Sequence, residues 1–326
     1  MKLSITLKEI KQLLLDNKLL TASSIKSLET TINNLSYDSR NIEPNTLFFC
    51  KGFNYKKEYL VQAINNGSIC YISEEKHITD CDYFIVNDVR KSMAIIAAYF
   101  YKYSFKDIET IALTGTKGKT TTTYFIKNII DCYMKEEQAY ITTVETYTKK
   151  RREESHLTTP EALDLHKIFF EIKESKLNYL TMEVTSQAYK MDRVIGIKFN
   201  HGIFLNITED HIGSTEHKNF EDYFSCKLKL IENVEDMIIN YNMANFNRVK
   251  TTCENNNVPY TTFGYTKGAD YYFENVRSKD GIVSFNVINK KDNYSNRFSI
   301  KMMGLFNVEN ALASIILAKK LNIQIK

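Results

Sequence analysis

In the stretch TIALTGTKGKTTTTYFIKNII, Lys119 and Thr120 follow a glycine turn and are spaced to handle phosphate. In such a loop the backbone N–H groups around Gly115, Thr116, Lys117, Gly118 and Thr121 cradle phosphate oxygens at a helix N-terminus. Lys119 reaches the β- and γ-phosphates and the Thr120 hydroxyl holds Mg2+. The common G-x-x-x-x-G-K-[ST] pattern needs a glycine where this chain has Leu113, so the loop is a shorter one. The competing reading is a plain turn between strand and helix. Such a turn has no use for Lys119 and Thr120 at these positions, nor for four consecutive threonines, which are weak helix formers.

Two further places have residues suited to chemistry. Glu183 ends the apolar run LNYLTME, with Thr185 and Ser186 just beyond, and Asp210 with His211 follow the run FNHGIFLNIT. Ligands of open α/β sheets sit beyond the carboxyl ends of strands, where a carboxylate can hold Mg2+. A solvated acid at a strand end is the equal alternative for Glu183. The third place is KNFEDYFSCKLKLIENV, where Phe220, Phe224, Lys227 and Ile231 share one helical stripe. Burying an unpaired ammonium is costly, so Lys227 either snorkels out of that stripe or has a task; Lys229 is the ordinary exposed lysine.

These residues need a scaffold of strands and helices. From Ile108 onward strand, loop and helix alternate, which predicts a mainly parallel sheet wrapped by helices. Between Ala269 and Met303 the period changes to two, with turns at SKDG and KDNYSN, predicting an antiparallel β insertion before a final helix, NVENALASIILAKKLNI. The first 107 residues predict a smaller α/β unit, opening on an amphipathic helix rather than a signal peptide. The expected domains are therefore 1–107 and 108–326. A chain of 326 residues has room for both cores.

Composition excludes several classes. A net charge of +4 is too mild to argue for nucleic acid or a membrane surface. The cluster Lys149, Lys150, Arg151, Arg152 is followed at once by Glu153 and Glu154 and reads as a solvated loop. Six cysteines without C-x-x-C pairing fit reduced thiols, and no apolar run approaches a membrane span. A cytoplasmic protein is expected.

The loop TGTKGKTT resembles that of the Mur ligases, the ATP-dependent amide-forming enzymes of peptidoglycan synthesis. In order along the chain, DSR (Asp38 to Arg40), LFF, GTKGKTTT, TTP (Thr158 to Pro160), MEVTSQA, NITEDH, YFSCKLKL and GLFNVENALA resemble the MurE branch of that family. The DSR…LFF segment sets the chain apart from folylpolyglutamate synthetases, which share the ATP loop. The resemblance implies a small N-terminal uridine-nucleotide domain and a central ATP-binding domain. It implies an acid–amino-acid ligase with ATP and Mg2+ as cofactors, acting as a monomer on UDP-N-acetylmuramoyl-L-alanyl-D-glutamate and an amino acid. Lys119 would bind ATP phosphates, Thr120 and Glu183 would hold one Mg2+, and His211 would serve a second. Lys227 matches the family's carbamylated lysine, a magnesium ligand. Ser39 would contact the uridine nucleotide; Thr158, Thr159, Thr185 and Arg193 would hold the muramoyl-dipeptide; Asn307 would lie near the adenine.

The chain departs from the family pattern at Lys117, where asparagine is usual, and at Gly213, where DHLD has become DHIG. Two extra residues precede His217, which is not carried over as a site. The family's C-terminal Rossmann-like domain is expected to be absent, leaving a form that binds substrates yet ligates poorly.

Overall fold

A computed structural model describes residues 3–52, 54–210, 212–213 and 216–325. The chain forms two compact units. The first comprises Met1–Ser104 together with Glu161–Phe170 and Met191–Gly196; the second comprises Phe105–Pro160, Glu171–Lys190 and Ile197–Lys326. Two short later segments thus belong with the first unit, where a division at 107 assigns them to the second.

In the first unit Thr6 starts the helix Leu7–Asp16 with a reciprocal cap. Its hydroxyl accepts from the Glu9 amide at 3.2 Å, and Glu9 accepts from the Thr6 amide at 2.8 Å. The helix buries Leu7, Ile10 and Leu14, the 3-4 spacing of one apolar face. A five-stranded sheet runs in the order Leu20–Ser24, Asp82–Val86, Ser68–Ser73, Thr46–Phe49 and Asn34–Ser36, antiparallel only at its first pair. The helix Val89–Phe100 covers it with Met93, Ala97 and Phe100, and Ala162 and Leu163 join the same core.

His166 also belongs to this unit and is almost wholly buried. Burial pushes its imidazole pKa down to about 3, so the folded chain keeps it neutral. The unfolded chain takes up that proton first. Its contribution to stability is therefore complete above pH 6.5 and fades as pH falls towards 3. Replacing His166 by Leu is expected to flatten the acid limb of a denaturant-midpoint-against-pH curve; an unchanged limb counts against this origin.

The second unit is one eleven-stranded sheet. Its spatial order is Arg152–Glu154, Glu145–Tyr147, Ala139–Ile141, Tyr179–Glu183, Glu109–Thr114, Phe199–Phe204, Val234–Asn240, Tyr260–Gly264, Tyr271–Lys279, Ile282–Asn289 and Tyr294–Ile300. From Ala139–Ile141 to Tyr271–Lys279 every neighbouring pair is parallel. The central strands are buried on both faces, as the helices covering a parallel sheet require. Helices Lys119–Met134 and Leu305–Lys320 bury Ile126, Ile130, Val308, Leu312 and Ile316 against Ile111, Leu113 and Ile203.

The antiparallel strands expected after Ala269 are present, and they extend the main sheet, because Tyr271–Lys279 pairs in parallel with Tyr260–Gly264. The final helix covers Val283, Phe285 and Val287 with the same apolar face that meets the parallel strands. One expectation changes at the opposite edge: the basic cluster is not a free loop. Arg152–Glu154 is a strand, and Arg151 is a half-buried guanidinium bound to Glu171 and Glu153. No helix among the described residues is long and apolar enough to cross a membrane.

Candidate active site

Three adjacent strands in the middle of this sheet, Tyr179–Glu183, Glu109–Thr114 and Phe199–Phe204, end side by side. Their carboxyl ends carry the site. After Thr114 the chain turns through Gly115, at φ +155°, and Gly118, at φ +87°, into the helix Lys119–Met134. Gly118 is the N-cap, and a Cβ there would come within 2.7 Å of Asn310 Oδ1, so only glycine fits this turn. The leading amides of the helix have no intrahelical acceptors and no side-chain cap. They are free to meet an anion.

Asn206, just past the third strand, pins the loop. Its Oδ1 accepts from the amides of Thr116 at 3.0 Å and Lys117 at 2.9 Å, and its Nδ2 donates to Lys117 O at 2.9 Å. Thr116 adds a hydroxyl contact of 3.1 Å with the Tyr223 phenol. Asn206→Ala removes three hydrogen bonds at once and is expected to cost about 2–3 kcal/mol, read as a fall in the urea midpoint at unchanged slope. A shift indistinguishable from wild type refutes the pinning role.

Lys119 folds back over its own loop, donating to Gly115 O at 2.8 Å and Thr116 O at 3.2 Å. Burial lowers its pKa, opposed by the nearby Glu183 and Asp210 carboxylates. Thr120 donates to Glu183 Oε1 at 2.7 Å. Glu183 is fully buried and also accepts from the Thr143 amide and hydroxyl, each at 3.1 Å. The strand-end carboxylate is therefore not a solvated one.

Lys227 does not snorkel. Its side chain runs inward from the helix Phe220–Glu232, 2% of the residue is exposed, and Nζ donates to Gly115 O at 2.9 Å. It also lies 4.8 Å from the centre of the Tyr223 ring. The Gly115 carbonyl thus receives two lysines, Lys119 and Lys227. Burial and then the like charge of Lys119 hold the Lys227 pKa well below the ordinary lysine value, against the pull of Asp210, Cys226 and Glu183. Lys229, two residues on, is exposed, as its place off that stripe requires.

The threonines expected near an acceptor stand beside this group. Thr158 Oγ1 lies 3.2 Å from Thr143 Oγ1, and Thr159 donates to Glu183 O at 3.0 Å while accepting from the Thr185 amide at 3.1 Å. Lys117, Gly118 and Thr121 line a cavity of about 560 Å³ with Asn206, Phe306 and Asn310. Asn307 does not line it. Its Nδ2 donates to Met303 O at 2.8 Å, and its helix neighbours face the cavity instead.

Ser39 and Arg193 belong to the first unit. The Ser39 hydroxyl donates to Gln62 Oε1 at 2.8 Å. Arg193 binds Glu161 at 3.1 Å, and Lys51 at 2.5 Å and Arg90 at 3.5 Å meet the same carboxylate. Burial raises the Glu161 pKa, but these cations together hold it below the usual value. His211 lies outside the described residues.

The residues fit a magnesium nucleotide. Glu183 and Thr120 offer hard oxygen ligands beside the loop, and the closely packed Gly118 turn leaves the helix amides open. Sequence reasoning passed over Asn206 and Thr143. Each lies two residues past the end of a strand of the parallel set, so the rule that located Glu183 applies to both.

Residues 113–318 match the family model of the Mur ligase middle domain. The chain is 41% identical over 297 residues to the UDP-N-acetylmuramoyl-L-alanyl-D-glutamate–L-lysine ligase of Streptococcus agalactiae, covering 91% of this chain and 59% of that protein. It is 40% identical over 300 residues to the UDP-N-acetylmuramyl-tripeptide synthetase of Lactococcus lactis, covering 90% and 58%. Among solved structures it superposes on a UDP-N-acetylmuramoyl-L-alanyl-D-glutamate–2,6-diaminopimelate ligase with a TM-score of 0.80 at 20% identity, covering 98% of this chain and 64% of that one. The chain spans less than two thirds of the length of these relatives.

Proposed function

The chain belongs to the Mur ligase family, and on that premise we propose that it carries the ATP-binding and acceptor-binding parts of an amide ligase acting on UDP-N-acetylmuramoyl-L-alanyl-D-glutamate. The observation that carries the reading is the meeting of two amines, the half-buried Lys119 and the buried Lys227, on one carbonyl of the phosphate loop, next to the Thr120–Glu183 contact. A structural turn has no need of either amine.

In the proposed reaction the γ-phosphoryl group of ATP passes to the D-glutamate γ-carboxylate, releasing ADP. The amine of a diamino acid then displaces phosphate to form the amide. The loop amides and Lys119 hold the nucleotide's phosphates and offset charge on the transferring group. Thr158, Thr159 and Thr185 orient the acceptor, and positioning supplies much of the rate. Mg2+, held by Thr120, Glu183 and a carbamylated Lys227, would neutralise phosphate charge during transfer. Neutral Lys227 can attack CO2 through its lone pair, losing one proton to give an anionic carbamate. The Ser39 turn and Arg193 are proposed to bind the uridine nucleotide and the dipeptide respectively.

Calorimetry with this chain tests the reading. Mg-ATP and UDP-N-acetylmuramoyl-L-alanyl-D-glutamate are each expected to bind, the latter at least tenfold more tightly than the corresponding UDP-muramoyl-tripeptide. Equal affinity for the two acceptors, or none for either, refutes it.

A further inference from the structure

His217 lies outside the set described above, yet it is the centre of a partly buried polar chain. The residue is fully buried. One ring nitrogen, Nε2, is 2.9 Å from Ser186 Oγ, and the other, Nδ1, is 3.1 Å from Asp222 Oδ2. Asp222 also accepts from Lys190 Nζ at 2.8 Å and from the Lys218 amide at 3.1 Å. Lys190 donates as well to Glu216 O. Ser186 and Lys190 are the first and last residues of the short helix Ser186–Lys190. That helix is therefore fastened at both ends to the segment 216–222, with His217 closing the first fastening.

The two sides so joined carry different proposed tasks. Before the short helix stands Thr185, whose hydroxyl accepts from the Ala188 amide at 3.2 Å and whose amide donates to Thr159. Asp222 lies in the first turn of the helix that delivers Lys227, and the next residue, Tyr223, reaches the loop through Thr116. Four helical residues lie between Asp222 and Lys227, so a shift of Asp222 moves both Tyr223 and Lys227.

A Ser–His–Asp row also describes a hydrolase triad. Here Ser186 is 3% exposed and its histidine is covered, which leaves no path for an acyl substrate. Cys226 stands near enough to complete a metal-ligand set with His217 and Asp222. The Lys190 ammonium already occupies the Asp222 carboxylate, and a second cation there would be repelled. What remains is mechanical.

We propose that His217 is a positioning residue. By bridging Ser186 and Asp222 it sets the acceptor-binding turn at Thr159–Thr185 in register with the helix that carries Lys227. The proposal rests on the functional reading above. It names a residue that touches neither nucleotide nor acceptor and acts on acceptor affinity through Ser186.

The test uses His217→Ala, Ser186→Ala, the double variant and His217→Gln, which keeps a hydrogen-bonding group near Ser186. Each is measured by calorimetry against UDP-N-acetylmuramoyl-L-alanyl-D-glutamate and a non-hydrolysable ATP analogue. Amide hydrogen exchange is followed over residues 185–190. His217→Ala is expected to weaken the acceptor about tenfold and the ATP analogue less than twofold. Ser186→Ala should match it, the double variant should be no worse than either single, and His217→Gln should recover part of the loss. Exchange at 185–190 should quicken at least tenfold in His217→Ala. Additive losses, equal loss of both ligands, or unchanged exchange overturn the proposal, as does Zn2+ binding abolished by His217→Ala. If wild type fails to bind the acceptor, the functional reading falls; the exchange result then still supports or overturns the fastening on its own.

Discussion

On the proposed function, Lys119→Ala is expected to lower ATP-dependent phosphate release about a thousandfold, the scale of losing a preorganised donor to a transferring group. Two roles end together. The variant loses the amine that would meet the phosphates, and the loop loses the contacts to Gly115 O and Thr116 O that now hold its shape. The fold should survive, because Asn206 and Tyr223 still hold the loop. There is a second consequence at a distance. Lys119 is the second cause, after burial, of the depressed Lys227 pKa, so removing it should let that pKa climb. Lys119→Met should behave as the alanine variant does, whereas Lys119→Arg should rescue little, since its fork matches neither loop carbonyl at this reach. Phosphate release within tenfold of wild type in Lys119→Ala, with ATP affinity intact, would remove the loop from the chemistry.

Lys227 yields the second large effect, and it separates function from stability. Lys227→Met should reduce phosphate release a hundredfold or more, because it removes the only nitrogen from that helix that reaches Gly115 O in the structure described. Yet stability should hold or rise. A buried amine that burial disfavours is exchanged for an apolar side chain of similar length, and Gly115 O keeps its hydrogen bond from Lys119. Lys227→Arg keeps a cation, cannot form a carbamate, and should be as inactive as the methionine variant. Incubating wild type with 13C-bicarbonate should give a carbamate carbon resonance that Lys227→Met lacks. A methionine variant with normal turnover, or with its urea midpoint sharply lowered, would mean that Lys227 is structural.

Much of this was legible in the residues. The loop reads as a phosphate cradle because glycine, lysine and threonine fall where a strand must end and a helix begin, and a helix does start at Lys119. The Lys227 stripe was visible too, since helical periodicity places it beside Phe224 and Ile231 whatever the tertiary fold. Periodicity could not say whether the ammonium turned outward or inward. Its acceptor, Gly115 O, is 112 residues away in sequence. Arg151 misled for a related reason. A run of basic residues followed by glutamates looks solvated until the edge strand brings Glu171 against it.

The sequence by itself determined the local chemistry: a helix N-terminus free to take an anion, a carboxylate at a strand end, a lysine on an apolar stripe, and a family whose motifs run in order. Those follow from backbone geometry and side-chain period, which neighbours in the chain decide. Tertiary structure alone decided which of these groups meet. The order of strands places Thr114, Glu183 and Asn206 side by side, and sheet register aligns their ends. That convergence makes Asn206 a pin, Thr143 a second partner for the Glu183 carboxylate, and His217 the link between two segments that sequence spacing holds apart. Long-range partners depend on strand order and register, and neither is written in any short stretch of the chain.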